Sequence, residues 1–288
     1  MAFLLKGNPV ADSLCQKTKE QCRILREKGI VPVLAIVRVG ERACDVSYER
    51  GAMKRAEQLG IAVRKCTLPE SCSKAELIDM LRGISAAKDL HGCLLFRPLP
   101  AHLQAQDILD ALCPEKDVDG MTTASMGMLL TGKKQGFAPC TPSACLALLR
   151  HYQIPLQGKK ITIIGKSASV GLPTALLMMN EEATVSVCHI LSDPADTKAM
   201  CRAADIIISA AGCPGLVSKE DIRPGQTVID VGVSMGKDGK LRGDADFDEV
   251  EPVVDAITPV PGGIGAVTTA VLMAHVASAA LRAYCLRS

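Results

Sequence analysis

The 288 residues of this chain exceed what one hydrophobic core usually organises, so two domains enclosing a cleft are expected. Apolar residues at 48% and charged residues at 22% exclude a disordered chain, and 2% aromatics with no Trp exclude a base-stacking surface. The formal net charge of +2 comes from 33 basic and 31 acidic residues without a basic run to gather phosphates, so no nucleic-acid partner is expected.

In chain order, residues 9–29 carry apolar positions at helical spacing and stop at Gly29, after which VPVLAIVRVG reads as a buried strand closed by Gly40. The pattern is helical again from Ser47 to Leu59, Gly60 terminates it, and IAVRKCTL follows as a strand. Ser73 caps a helix running toward Ala87. HGCLLFRPLP is a strand ending in a Pro-rich turn, at the carboxyl end where open α/β sheets place ligands. Polar, Gly and Pro residues make 113–142 the expected hinge zone. Beyond it come a helix at 143–152, strand KITIIG, helix LPTALLMMNEE, strand TVSVCH, helix PADTKAMCRA, and strands ADIIISAAG and TVIDVGV. This alternation predicts an α/β protein with a parallel doubly wound sheet. The last helix starts near Gly265 and runs apolar to Tyr284, long enough to pack back on the first domain.

Thirteen cysteines are scattered through these elements with no CxxC pair, which predicts reduced, buried thiols in a cytoplasmic protein. The start MAFLLKGNPVADS is too short an apolar run for a signal peptide, and no apolar stretch is expected to reach membrane-spanning length, so no membrane partner is expected. His91, His102, His151 and His275 lack metal-ligand spacing; they read as surface or satisfied core residues, and no metal is expected.

The run KITIIGKSASVGLPTALL joins a buried strand, a loop with Gly165 and Gly171, and a helix with Pro173 in its first turn. Glycine at a strand end lets the backbone approach a pyrophosphate, and free N–H groups at a helix start favour the anion. Gly165, Lys166, Ser167, Val170 and Gly171 are therefore candidate dinucleotide contacts. The spacing is GxxxxxG rather than GxGxxG, and a P-loop would need glycine where Lys160 stands, which argues against a kinase or ATPase. The next strand runs into Cys188, His189 and Ile190, without the carboxylate that usually takes a ribose 2′-hydroxyl. With Lys166 cationic, NADP is favoured; Lys lacks the fork of Arg and Ile190 brings neither hydroxyl nor charge, so NAD stays open. The small residues closing ADIIISAAG suit a backbone beside a nicotinamide or ribose, and suit tight helix packing equally well. Gly212 there, and Val233 at the end of TVIDVGV, complete the candidate cofactor set.

Taken together, SYERGAMKRAEQLGI, GCLLFRPLP, PEKDVDG, PCTP, IIGKSASVGLP, ATVSVCH, VIDVGV and TPVPGGIGAVTT resemble, in order and spacing, the methylenetetrahydrofolate dehydrogenase/cyclohydrolase family over essentially the whole chain. The resemblance implies a folate substrate, NADP as the usual oxidant and a homodimer. It also implies a folate-binding domain over 1–139, to which a C-terminal helix at 269–288 returns, and a Rossmann domain over 140–268. By motif, Tyr48 would lie against the folate rings, Asp119 would hold the pterin, and Pro261, Gly262 and Gly263 would close over the substrate. A phenol offers a flat amphipathic face, and a carboxylate accepts from an amino-pyrimidine edge. Apart from the resemblance, Tyr48 reads as a helix packing residue and Asp119 as a turn former before Gly120.

Two departures stand beside these matches. Where the family has its catalytic lysine, four residues after the tyrosine, this chain has Ala52, and the family's QLPLP glutamine falls at Phe96. Lys54 lies about 160° around the helix from Ala52, and Arg55 stays protonated, so neither replaces the lysine as a base. Opening a methenyl ring requires proton transfers, whereas loss of a hydride from the methylene carbon depends mostly on orientation. The expectation is a 5,10-methylenetetrahydrofolate dehydrogenase whose cyclohydrolase activity is weak or lost. The alternatives are the fully bifunctional enzyme, another two-domain dehydrogenase such as one acting on shikimate or an amino acid, and a non-catalytic dinucleotide-binding regulator. Smaller departures are Ala266 and Val267, where the family commonly has Pro and Met.

Overall fold

A computed structural model describes residues 1–133, 136–236 and 239–286. The chain opens with β1 (Phe3–Leu4), α1 (Gly7–Glu27), β2 (Val33–Val39), α2 (Ala43–Leu59), β3 (Ala62–Leu68), α3 (Lys74–Ala86) and β4 (Gly92–Leu95). Two shorter helices, α4 (Gln106–Leu109) and α5 (Thr123–Leu130), lead to α6 (Cys140–His151). Then come β5 (Lys160–Ile164), α7 (Gly171–Asn180), β6 (Thr184–Cys188), α8 (Pro194–Ala203), β7 (Ile206–Ser209) and β8 (Thr227–Asp230). The chain closes with β9 (Ser234–Met235), β10 (Leu241–Arg242), α9 (Phe247–Val250), β11 (Ala256–Ile257) and α10 (Ile264–Cys285).

Local chemistry sets several of these limits. α2 stops because Gly60 takes a left-handed φ of 73° and returns its N–H to the helix. α3 starts on a capping box: Ser73 Oγ accepts from the Glu76 N–H at 3.2 Å, and the Glu76 carboxylate accepts from the Ser73 N–H at 2.7 Å. α8 starts at Pro194, with the Asp193 carboxylate capping the N–H of Ala195 at 2.7 Å.

Two compact units result, Met1–Ala11 with Thr141–Thr268, and Asp12–Cys140 with Thr269–Ser288. The first is built on a six-stranded parallel sheet in the order β1-β11-β8-β7-β5-β6. From β5 the chain moves to β6 on one side, then crosses to β7 on the other, which creates a switch point at the carboxyl ends of β5 and β7. The second holds a three-stranded parallel sheet, β3-β2-β4, whose buried Ala35, Val37 and Leu95 pack with Leu77, Leu81 and Leu103. Gly92 of β4 is pressed so closely that an added Cβ would lie 2.7 Å from Val118 and 3.2 Å from Val276 of α10.

The chain start reaches across the domain limit expected from the sequence: Phe3 and Leu4 pair with Ala256 and Ile257 and extend the six-stranded sheet, and Met1–Ala11 group with that unit. The expected hinge zone 113–142 contains the limit between the two compact units, at Cys140 and Thr141, together with helix α5, capped by Thr122; Lys134 and Gln135 lie outside the described residues. One expectation needs correction, that no apolar stretch reaches membrane-spanning length: α10, with 22 residues and mean hydropathy 1.8 over its most apolar window, is long and apolar enough to cross a membrane. In the fold 56% of that window is buried, with Val271, Leu272, Met273 and Val276 in the core.

Candidate functional site

In the six-stranded unit the loop after β5 is built by glycines that nothing else could replace. Gly165 has φ 127°, and a Cβ there would lie 2.5 Å from Ala210 O; a Cβ on Gly171 would lie 2.0 Å from Gly165 O. Its N–H donates to Cys188 O at 2.8 Å, so the loop leaves the sheet directly beside the end of β6. The N–H groups at the helix start, free in the sequence reading, are partly engaged. Val170 and Gly171 donate to Ser167 Oγ at 3.2 and 3.3 Å, and Leu172 donates to Ser167 O at 3.1 Å. The serine closes the turn. Its hydroxyl also meets the Ser169 hydroxyl at 3.5 Å, and Lys166 stands exposed beside it.

After β6, Ile190 is almost wholly exposed, while His189 is tied into its turn: its N–H donates to Ser192 Oγ and its Nδ1 accepts from the Leu191 N–H. The loops carrying Gly212 and Val233 are held by two carboxylates that the sequence did not single out. Asp244, fully buried, accepts from Ser209 Oγ at 2.9 Å and from the N–H groups of Ala211 and Cys213 at 2.7 Å each. Asp230 accepts from the N–H groups of Gly232, Asp244 and Ala245 at 3.0, 2.9 and 2.8 Å, and burial nevertheless pushes it up to about 6. Replacing Asp244 by Ala strands three donors, so urea denaturation of this variant is expected to show a loss of about 2–4 kcal/mol. A loss under about 0.5 kcal/mol would refute this role.

In the three-stranded unit, a buried ion network positions Tyr48. The carboxylate of the next residue, Glu49, lies between Arg38 Nε at 3.1 Å and Lys65 Nζ at 2.5 Å, which ties α2 to β2 and β3. Burial opposes the charge on Glu49, but Lys65 and Arg38 outweigh it and hold the carboxyl below its usual range. Tyr48 is 39% exposed, and its ring meets Phe96 edge to face with centroids 5.7 Å apart. Desolvation around its hydroxyl, which lies among Thr269, Cys140, Asp119 and Arg55, pushes the phenol up to about 12. Tyr48 therefore stays a neutral phenol at physiological pH. Ala52 is 1% and Phe96 8% exposed, so the family's lysine and glutamine positions are both apolar and buried.

The two carboxylates of PEKDVDG have different fates. Asp117 is 2% exposed and accepts from the N–H groups of Met121 at 3.0 Å and Thr122 at 2.8 Å, a structural role. Asp119 accepts a long 3.4 Å hydrogen bond from the N–H of Cys140, the first residue of α6, is met by the Cys140 thiol as well, and faces Arg97 across 3.6 Å. Gly120 locks the motif to PCTP, because a Cβ there would lie 2.4 Å from Phe137 O. Burial raises the Asp119 carboxyl, with Arg97 pulling it down and Asp117 pushing it further up. Arg97 was legible as the only charged residue in GCLLFRPLP, at a strand's carboxyl end, yet it was not singled out.

Pro261, Gly262 and Gly263 lie in the six-stranded unit rather than with Tyr48 and Asp119. Their loop is pinned to the chain start: the Gly7 N–H donates to Gly262 O at 2.8 Å, and a Cβ on Gly7 would lie 2.0 Å from Gly263 O. The histidines have ordinary partners. His91 Nδ1 accepts from the Val33 N–H, His102 Nε2 bonds Cys72 O, His275 Nδ1 bonds Val118 O, and His151 packs edge-on against Tyr152.

A profile described as the catalytic domain of tetrahydrofolate dehydrogenase/cyclohydrolase matches residues 5–119, and one described as its NAD(P)-binding domain matches residues 139–284. The chain belongs to the tetrahydrofolate dehydrogenase/cyclohydrolase family. It is 44% identical over 281 residues to the bifunctional protein FolD of Carboxydothermus hydrogenoformans, covering 97% of each chain. Among solved structures, the bifunctional FolD of Campylobacter jejuni superposes with a TM-score of 0.95 at 37% identity, covering 98% of this chain and 99% of that one. The FolD of Trypanosoma brucei, solved with NADP and an inhibitor, superposes at 0.93 with 33% identity, covering 100% and 99%. The six-stranded unit thus carries most of the family's NAD(P)-binding domain, and the three-stranded unit most of its catalytic domain.

Proposed function

We propose that this protein oxidises 5,10-methylenetetrahydrofolate to 5,10-methenyltetrahydrofolate with NADP, NAD being the alternative oxidant. The contrast between Asp117 and Asp119 carries the folate half of the reading: one carboxylate is saturated by the backbone, and its neighbour is left with acceptor capacity for the amino-pyrimidine edge of a pterin. The loop after β5 fits a dinucleotide, since its glycines keep Cβ atoms off the backbone while Ser167 and Lys166 present a donor and a cation. When bound, the dinucleotide supplies the acceptor for the hydride that leaves the methylene carbon. The chain itself has little proton chemistry to perform. Neutral Tyr48 offers a ring face to the folate, Asp119 fixes the pterin, and the folate nitrogens stabilise the resulting cation.

Hydrolysis of that cation is the family's second reaction. The relatives from Carboxydothermus hydrogenoformans and Campylobacter jejuni are called bifunctional, and their names favour the reading in which this chain also opens the methenyl ring. Ala52 and Phe96 support the other reading, an enzyme in which the hydrolytic step is weak or lost. We extend the proposal to a cytoplasmic homodimer, testable by light scattering of the purified protein.

The deciding assay follows absorbance of the reduced nicotinamide after methylenetetrahydrofolate is added with NADP or with NAD. Reduction of either dinucleotide, faster with NADP, is expected; reduction of neither overturns the proposal in favour of a dinucleotide-binding regulator. A pH series adds an independent check. Folate binding uses the ionised form of Asp119, whose pKa burial raises, so KM for folate is expected to climb as pH falls through a value above the usual carboxylate range. Asp119→Asn should remove that acidic limb and raise KM at neutral pH. A wild-type KM flat down to pH 4 would refute the assignment of Asp119.

A further inference from the structure

Arg97 and Asp119 form an unusual pair. Their side chains keep 27% and 22% exposure, and Arg97 Nη2 lies 3.6 Å from Asp119 Oδ2, close enough for charge attraction and too far for a hydrogen bond. An arginine present only to neutralise a carboxylate closes on it, often bidentately, at about 2.7–2.9 Å. Here neither partner saturates the other: the guanidinium keeps its donors, and the carboxylate, met by the N–H and thiol of Cys140, keeps further lone pairs. Both also border a water-sized void of about 20 Å³, lined by Asp117 and Thr122 as well as Leu95, Leu109 and Met121; the pair's exposed faces, not this void, are what a ligand can reach.

A partly exposed carboxylate beside a guanidinium presents an acceptor next to a donor. The edge of a 2-amino-4-oxo pteridine presents the complement, an amino group and ring N–H that donate, followed by a carbonyl oxygen that accepts. We propose that Arg97 is a specificity residue that donates to the 4-oxo group of the pterin while Asp119 takes the amino side, an inference that rests on the folate reading above. Arginine suits the role because it never loses its proton, so the donor is present at any pH at which the protein is folded. The arrangement predicts selection for 4-oxo over 4-amino pteridines, since an amino group in place of the carbonyl would meet a donor with a donor.

The test is calorimetric titration of the full chain with folic acid and with 4-amino-4-deoxyfolic acid, in wild type, Arg97→Leu and Arg97→Lys. Loss of a charged hydrogen bond should weaken folic acid by about 10–100-fold in Arg97→Leu. The 4-amino compound should bind that variant equally or more tightly, so the ratio of the two affinities moves by about tenfold or more. Arg97→Lys, which keeps the charge and loses the fork, should recover part of the folic acid affinity. Unchanged dinucleotide binding certifies that each variant is folded. Equal weakening of both ligands would overturn the proposal and leave Arg97 as a residue acting through Asp119; no weakening would overturn it outright. A wild type that binds neither pteridine refutes the folate reading itself, a result distinct from either of these.

Discussion

Given 5,10-methenyltetrahydrofolate without dinucleotide, the wild-type protein is expected to open the ring about 10²–10⁴-fold more slowly than an Ala52→Lys/Phe96→Gln variant. Addition of water to the methenyl carbon and collapse of the adduct both move protons, and the two positions from which the family's lysine and glutamine act hold no proton carrier here. Tyr48 is held as a neutral phenol with a pKa of about 12, Arg55 cannot deprotonate, and Ala52 and Phe96 are apolar and buried. Ala52→Lys alone should recover less than the pair, because an ammonium placed at a 1% exposed position needs an acceptor to offset its desolvation, which the glutamine supplies. Dehydrogenation, assayed on the same samples, should change far less, since it asks the chain for orientation. Wild-type hydrolysis as fast as that of the double variant would establish the bifunctional reading that the relatives' names favour, and would require a base other than the lysine.

The sequence showed most of the architecture because the signals were local. Strand and helix periods alternate from β5 to β8, Gly29, Gly40 and Gly60 punctuate the first half, and Ser73 with Glu76 spells out a capping box within four residues. What stayed hidden depends on partners distant in the chain. β1 is two residues long and exists only because Ala256 and Ile257 pair with it. α10 looks like a bilayer span by composition, and only the packing of Val276 near Gly92 and Val118 shows where its apolar side chains go. The same divide runs through the site. Gly165 and Gly171 announce themselves by spacing, whereas the roles of Asp230 and Asp244 arise from donors on loops that the sheet brings together. Ser167 lay in plain view as a cofactor contact, but that its hydroxyl closes the turn with the N–H groups of Val170 and Gly171 is a property of the folded loop.

Gly171→Ala is expected to lower dinucleotide affinity by about 100-fold or more while leaving folate binding within about twofold of wild type. The added Cβ would lie 2.0 Å from Gly165 O, 2.5 Å from Gly165 C and 3.0 Å from Lys166 N, all backbone atoms that cannot swing aside as a side chain could. Gly165 has no room to yield, because it faces Ala210 O across the sheet end and holds a φ of 127° that other residues rarely adopt. The strain must therefore move the loop itself, and with it Lys166 and Ser167. Tyr48, Asp119 and Arg97 belong to the other unit, which makes folate affinity the internal control for a folded protein. Gly83→Ala in α3 supplies the contrasting case: a Cβ there meets nothing within 4 Å, so a helix-favouring residue should leave both affinities unchanged and add about 0.5–1 kcal/mol of stability. If Gly171→Ala binds dinucleotide like wild type, the loop after β5 is not the phosphate cradle.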